Sequence, residues 1–254
     1  MPPTLVLTGA SSGVGASLTR RFAGEFHVVA LARRIDRMRE RFGDDPHVTP
    51  YELDLSDTEA IRATASRIRD EHGPVHYLVN NAGVNRSATV ETVDPDDLLY
   101  SMQVNAVAPV VLMQSFLGGM DDAGFGRIIN VTSGAPFNCP TGAGAYSASK
   151  AALNTLTVTA ANERAESDIK INLASPGPVR TEMAPDAPLD PSACHPTFEY
   201  LLTLDADGPT GRLFWLGYEV PLFPDHGDIE WEAGSGSDRL RQVLDGAPHR
   251  GDER

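Results

Sequence analysis

Residues Thr4 to Phe22 read TLVLTGASSGVGASLTRRF. The first five are apolar and β-prone, the composition of a short strand buried on both faces. Gly9, Gly13 and Gly15 follow at once, and Val14 to Phe22 then reads as a helix. Strand, glycine-rich turn and helix N-terminus together make a cradle for an anion. Glycine lets the backbone come close, and unpaired helix N–H groups point at the charge. The spacing is G-x-x-x-G-x-G rather than G-x-G-x-x-G. Taken alone, the stretch also fits a tight βα turn with no ligand.

The alternation continues down the chain. His27–Ala32, Val48–Leu53, His76–Val79, Arg127–Val131, Lys170–Ala174 and Arg212–Tyr218 are further apolar runs of strand length. Between them, Ser56-x-x-Glu59 reads as a capping box opening a helix to about Arg69. Asp94-Pro95 reads as the N-cap and first turn of a long helix through Asn105 to about Leu117. Gly144 to about Glu166 reads as another helix. This pattern predicts an α/β fold, a Rossmann-type doubly wound parallel sheet of about seven strands with helices on both faces. Right-handed crossovers put the strand C-termini on one edge. Gly9, Asn81, Ser133 and Pro176 then share one crevice.

The chemistry lies in Val131–Lys150, VTSGAPFNCPTGAGAYSASK. Tyr146 and Lys150 are four residues apart, so on a helix they share a face. The chain has only two lysines, Lys150 and Lys170, which makes the pair stand out. A phenol ionises near pH ~10, and proton transfer near neutrality needs its anion favoured by roughly 3 units, about 4 kcal/mol. A nearby cation supplies such a bias. Ser133 can hold a substrate oxygen beside the phenol. The set is a proton-transfer site with an oxygen anchor, and its electrons must come from a cofactor. The plainer alternative is a surface lysine on a helix of small residues. At the end of the second strand stand Arg33 and Arg34, with no acid before Asp36. An acid there takes ribose hydroxyls and an arginine a 2′-phosphate, so the expected cofactor is NADP(H). Arg37, Arg39 and Arg41 read as a solvated helix face. Asn105 sits among apolar residues and needs partners. Pro109, four residues on, is expected to kink the helix and free a carbonyl.

Composition narrows the classes. The chain has 254 residues with 41% hydrophobic and 22% charged residues and a formal net charge of -14. Such acidity disfavours nucleic acid and anionic membranes. Two cysteines, Cys139 and Cys194, make neither a disulfide framework nor a metal cluster. No apolar run approaches the ~20 residues that span a bilayer, and no basic-then-apolar leader is seen. The expectation is a cytoplasmic protein with a small-molecule substrate and no metal.

Thr8-Gly9-x-x-x-Gly13-x-Gly15, Asp54-Leu55, Asn80-Asn81-Ala82-Gly83, Asn105, Ser133, Tyr146-Ser147-Ala148-Ser149-Lys150 and Pro176-Gly177 with Thr181 occur in order over residues 4 to 181. This set resembles the short-chain dehydrogenase/reductase family, with an ending similar to carbonyl-reductase-like members. The resemblance implies hydride transfer between NADP(H) and a carbonyl or secondary alcohol. Tyr146 would be the general acid in reduction, and Lys150 would lower its pKa and bind the nicotinamide ribose. Ser133 would hold the substrate oxygen, and Asn105 would hold a water in a proton relay. Gly9, Ser11, Gly13, Val14 and Gly15 would line the phosphate side, and Asp54 and Leu55 the adenine. Asn81, Ala82 and Gly83 would pack near the adenosine half, and Pro176, Gly177, Val179 and Thr181 at the carboxamide end. The expected organisation is one domain over 1–224, with a substrate lid at 182–204 that includes a short helix from Phe198, and an acidic tail at 225–254. Cys194 and His195 read as polar lid residues. A homodimer is expected through the helix bearing Tyr146, with a homotetramer as the alternative. The rival reading is a non-catalytic NADP(H)-binding sensor or scaffold of the same fold.

Overall fold

The computed structural model of the chain describes residues 2–224. Eight strands form one sheet: β1 (Thr4–Thr8), β2 (His27–Ala32), β3 (Val48–Glu52), β4 (Tyr77–Asn80), β5 (Gly126–Val131), β6 (Ile169–Ser175), β7 (Leu213–Trp215) and β8 (Tyr218–Val220). Their order is β3-β2-β1-β4-β5-β6-β7-β8, and every neighbouring pair is parallel except β7 with β8. The helices are α1 (Gly13–Phe22), α2 (Ile35–Phe42), α3 (Thr58–His72), α4 (Pro95–Met102), α5 (Ala108–Ala123), α6 (Ala135–Asn138), α7 (Gly144–Asn162) and α8 (His195–Leu202).

Successive strand residues point to opposite faces, and here both faces are buried. Leu5, Leu7 and Val28 join Leu18 and Phe22 of α1, Met38 of α2 and Phe198 of α8. Val6, Val29 and Leu31 join Ile61 and Ile68 of α3 and Leu112 and Phe116 of α5. Two covered faces explain why the strands read as unbroken apolar runs. Each fully buried Leu, Ile or Phe contributes about 1.5–3 kcal/mol against the entropy of ordering it. The strand order reverses between β1 and β4, and a crevice opens there beyond the strand C-termini.

Four details differ from expectation. The run Arg212–Tyr218 is a hairpin rather than one strand, which raises the strand number to eight. Leu216 and Gly217 take φ values of 46° and 86°, the two-residue turn that joins antiparallel strands without splaying them. Leu216 holds this disfavoured conformation because its side chain packs against Gly177, where an added Cβ would stand 2.8 Å from its Cδ1. The capping box is not formed. Asp57 caps α3, accepting from the Ala60 N–H at 2.9 Å, because Ser56 is already held by Asp54 through its N–H and O–H, both at 2.9 Å.

The helix that starts at Asp94-Pro95 extends beyond Leu117. Asp94 accepts from the Asp96 N–H at 2.9 Å, and α4 runs into α5 through a π-helical turn, Gln103–Val107. Pro109 has no N–H to give the Asn105 carbonyl four residues back, and the helix widens there. Finally, α8 does not cover the crevice. Phe198, Leu201 and Leu202 are buried in the core, and of residues 182–204 only Glu182, Met183 and Ala184 line the crevice. The described residues up to Val220 group as one compact unit. The expected tail at 225–254 lies outside the described residues.

Candidate active site

The crevice has a volume of about 740 Å³. At one end is the glycine turn. Gly9 has φ 74°, and a Cβ there would lie 2.8 Å from Asn81 Nδ2 and 2.9 Å from Ala82 Cα. Glycine is therefore needed both for conformation and for the approach of the β4 turn. Gly15 sits behind the wall, where a Cβ would stand 2.3 Å from the Gly9 carbonyl oxygen. Its role is close packing of α1 against the turn rather than ligand contact. Thr8 binds the two turns together. Its Oγ1 accepts from the N–H of Asn81 (2.9 Å) and of Ala82 (3.0 Å), and its carbonyl accepts from Asn81 Nδ2 (2.8 Å).

Arg33 and Arg34 both line the crevice but are not equivalent. Arg34 donates from Nη2 to Ser12 Oγ (2.8 Å), from Nε to Ser11 Oγ (3.3 Å) and from Nη1 to Glu182 Oε2 (2.8 Å). Arg33 donates instead to the Tyr100 hydroxyl at 3.0 Å. Arg86 lies over that ring, 5.0 Å from its centroid. Burial pushes the Asp54 carboxyl up, but the hydrogen bonds from Ser56 and the charge of Arg33 outweigh it and hold it below its ordinary value.

At the other end stand Ser133, Tyr146 and Lys150. Ser133 lies just past β5, and Tyr146 and Lys150 project from the first turns of α7. Lys150 is buried and donates from Nζ to the Val131 carbonyl at 2.7 Å. Gly83 faces it, and a Cβ there would lie 3.5 Å from Nζ and 3.3 Å from Asn105 Oδ1. Burial lowers the Lys150 pKa from 10.5 to about 8. The Tyr146 pKa moves opposite to expectation: burial raises it, and the neighbouring Ser133 hydroxyl opposes the rise only in part. The ammonium, 6.0 Å from the phenol ring centroid, is at the edge of cation–π range and is itself short of solvation. Ser133 Oγ also accepts from the Ala135 N–H at 3.2 Å.

Asn105 does not reach the crevice. Its Oδ1 accepts from the Val84 N–H (2.8 Å), and its Nδ2 donates to the Val84 carbonyl (2.8 Å) and to Ser149 Oγ (2.9 Å). Ser149 donates in turn to the Tyr146 carbonyl at 2.8 Å. The side chain thus clamps the turn after β4 to the helix carrying Tyr146. Ser11, Gly13, Val14, Leu55, Gly83, Pro176, Gly177, Val179 and Thr181 line the crevice. Ser12, Arg86 and Tyr100 also line it and were not foreseen, and Glu182, expected only as the first residue of the lid, lines it as well. Ser12 could have been found within the glycine turn, but nothing local marks Tyr100. His195 faces away from the crevice and hydrogen-bonds Ser17 of α1 at 2.8 Å, and Cys194 is buried.

The crevice at the strand reversal thus has a glycine turn at one end and a serine, a tyrosine and a lysine at the other. The chain belongs to the short-chain dehydrogenase/reductase family, whose short chain dehydrogenase pattern matches residues 3–191. It is 31% identical over 189 residues to acetoacetyl-CoA reductase of Rhizobium meliloti (strain 1021), across 74% of this chain and 78% of that protein. A metagenomic short-chain oxidoreductase in complex with NADP is 31% identical with a TM-score of 0.74, covering 84% of this chain and 96% of that one. 4-Hydroxyisoleucine dehydrogenase complexed with NADH and succinate is 28% identical with a TM-score of 0.78, covering 84% and 97%. No described helix is long and apolar enough to cross a membrane.

Proposed function

We propose that the protein transfers a hydride between NADP(H) and a carbonyl carbon or the matching secondary alcohol. The observation that carries this reading is one crevice with Ser133, Tyr146 and Lys150 at one end and Arg34 flanked by Ser11 and Ser12 at the other. These residues suit a dinucleotide. Gly9 and Gly13 hold positive φ and pack against Asn81, Ala82 and Thr181 where a Cβ would not fit, which shapes the turn that would hold a diphosphate, and Arg34 offers a charged donor for a 2′-phosphate. The bound nicotinamide supplies or accepts the hydride.

The chain's own residues manage the proton. With its pKa raised by burial, Tyr146 is neutral near pH ~7 and carries a proton to give. In reduction its O–H donates to the substrate oxygen as that oxygen gains charge. The Ser133 hydroxyl donates to the same oxygen and holds it in place. Below pH ~8 the Lys150 ammonium is charged and favours the phenolate left behind. Burial strengthens each of these interactions. Asn105 positions the site by tying Val84 to Ser149, and a water at its backbone carbonyl would return the proton from solvent. Leu99 of α4, Val107 of the π turn and Leu156 of α7 are exposed apolar side chains, which supports pairing of two copies through these helices.

The test is NADPH and NADH consumption over a panel of ketones, with Tyr146→Phe alongside. Turnover with NADPH that falls by about 10²-fold or more in the variant is expected. A variant with unchanged turnover would refute the proton donor. A non-catalytic binder would bind NADPH and turn over no ketone, and NADH preferred over NADPH would overturn the role of Arg34.

A further inference from the structure

The corner of the crevice best suited to a 2′-phosphate already holds an anion, and that anion belongs to this chain. Glu182 Oε2 accepts from Arg34 Nη1 at 2.8 Å, while the same guanidinium reaches Ser11 and Ser12. The other carboxylate oxygen of Glu182 pairs with Arg37 Nη1. One carboxylate therefore bridges the two arginines. The hydrogen bond from Arg34 leads in holding the Glu182 carboxyl below its ordinary value. Its neighbour Thr181 packs against the glycine turn, where a Cβ on Gly13 would lie 3.0 Å from Thr181 Cγ2. Glu182 also begins the segment whose next residues, Met183 and Ala184, line the crevice.

A phosphate dianion and this carboxylate compete for the same guanidinium. If both stayed, two negative groups would face one another across Arg34. We propose that Glu182 is a built-in competitor of the cofactor's 2′-phosphate. It must leave Arg34 for NADP(H) to seat fully but need not leave for NAD(H). Glu182 thereby lowers the preference for the phosphorylated cofactor and ties arrival of the 2′-phosphate to release of the segment that begins at residue 182. This inference rests on the NADP(H) reading given above. The side chains of Arg34 and Glu182 are each 49% exposed, so the competition is moderate in size. A half-exposed ion pair corresponds to about a fivefold change in affinity.

Calorimetric titration with 2′,5′-ADP and 5′-AMP tests the idea without turnover. Glu182→Gln and Glu182→Ala should each tighten 2′,5′-ADP about fivefold and change 5′-AMP less than about twofold. In an Arg34→Ala background the Glu182 substitutions should have no effect on 2′,5′-ADP. A wild type that favours 2′,5′-ADP, with that preference unchanged in both Glu182 variants, would overturn the competition and leave the NADP(H) reading standing. A preference that emerges only in the variants would support the competition in its strongest form. Equal affinity for both nucleotides in the wild type and in both variants would overturn the NADP(H) reading, and this inference with it.

Discussion

Replacing Lys150 with methionine should make the protein more stable and less active together. The ammonium is 3% exposed, and burial lowers its pKa from 10.5 to about 8. The folded state binds this proton more weakly than the unfolded chain does. The burden of burying the charge is therefore full below pH ~8 and fades as the pH rises towards 10.5, where lysine is neutral in both states. At about 1.36 kcal/mol per pH unit, the full burden is about 3 kcal/mol. Methionine has similar length but loses the 2.7 Å bond to the Val131 carbonyl, which leaves a buried acceptor short of a donor and costs about 1–2 kcal/mol. The net gain for Lys150→Met near pH ~7 is about 1–2 kcal/mol. Near pH ~9.5 only about 1.4 kcal/mol of the burden remains, and the gain vanishes. Urea denaturation of the cofactor-free protein at both pH values measures it, and turnover should fall at least about 100-fold. A stability difference that does not vary with pH, or a variant clearly weaker than wild type near neutrality, would refute the reasoning.

Three further outcomes follow from the same geometry. Gly15→Ala places a Cβ 2.3 Å from a backbone oxygen that cannot swing aside, so a loss of about 2–3 kcal/mol and weaker NADPH binding are expected in thermal melts with and without cofactor. Asn105→Ala strands the N–H and carbonyl of Val84. A loss of about 2–4 kcal/mol should appear in chemical denaturation, with turnover reduced in the fraction that folds. In a pH profile of ketone reduction, kcat/KM should hold steady up to pH ~8 and decline above it as Lys150 loses its charge. A profile flat to pH ~10 would show that the ammonium does not support the phenol.

Most of the fold was legible because its strands are buried on both faces and its turns carry glycine. TLVLTG and HVVALA need no context to be read as parallel strands leading into helices. The errors have local causes. LFWLGY runs without a charged residue, and its turn rests on a leucine with positive φ, a conformation that composition does not signal for that residue. Ser56 and Asp57 are adjacent cap candidates, and the choice was made by Asp54, which holds Ser56. Phe198 to Leu202 looks like a cover in sequence because it follows the Pro-rich stretch, yet packing against β5 and β6 makes it core. In the site, spacing alone brought Tyr146 and Lys150 together, but the raised pKa of the phenol depends on three-dimensional burial. The bond from Arg34 to Glu182 joins residues 148 positions apart and has no trace in either neighbourhood.

The doubly used hydroxyl of Thr8 has a mechanical consequence. Because it anchors two successive amides of the β4 turn, the glycine turn and the asparagine turn behave as a single fixed jaw. The opposite jaw begins at Thr181 and is fastened by half-exposed ion pairs through Glu182. A ligand entering between them conforms to the first and displaces the second. Any movement that admits a ligand would therefore fall to the segment after β6 and not to the glycines that first announce the fold.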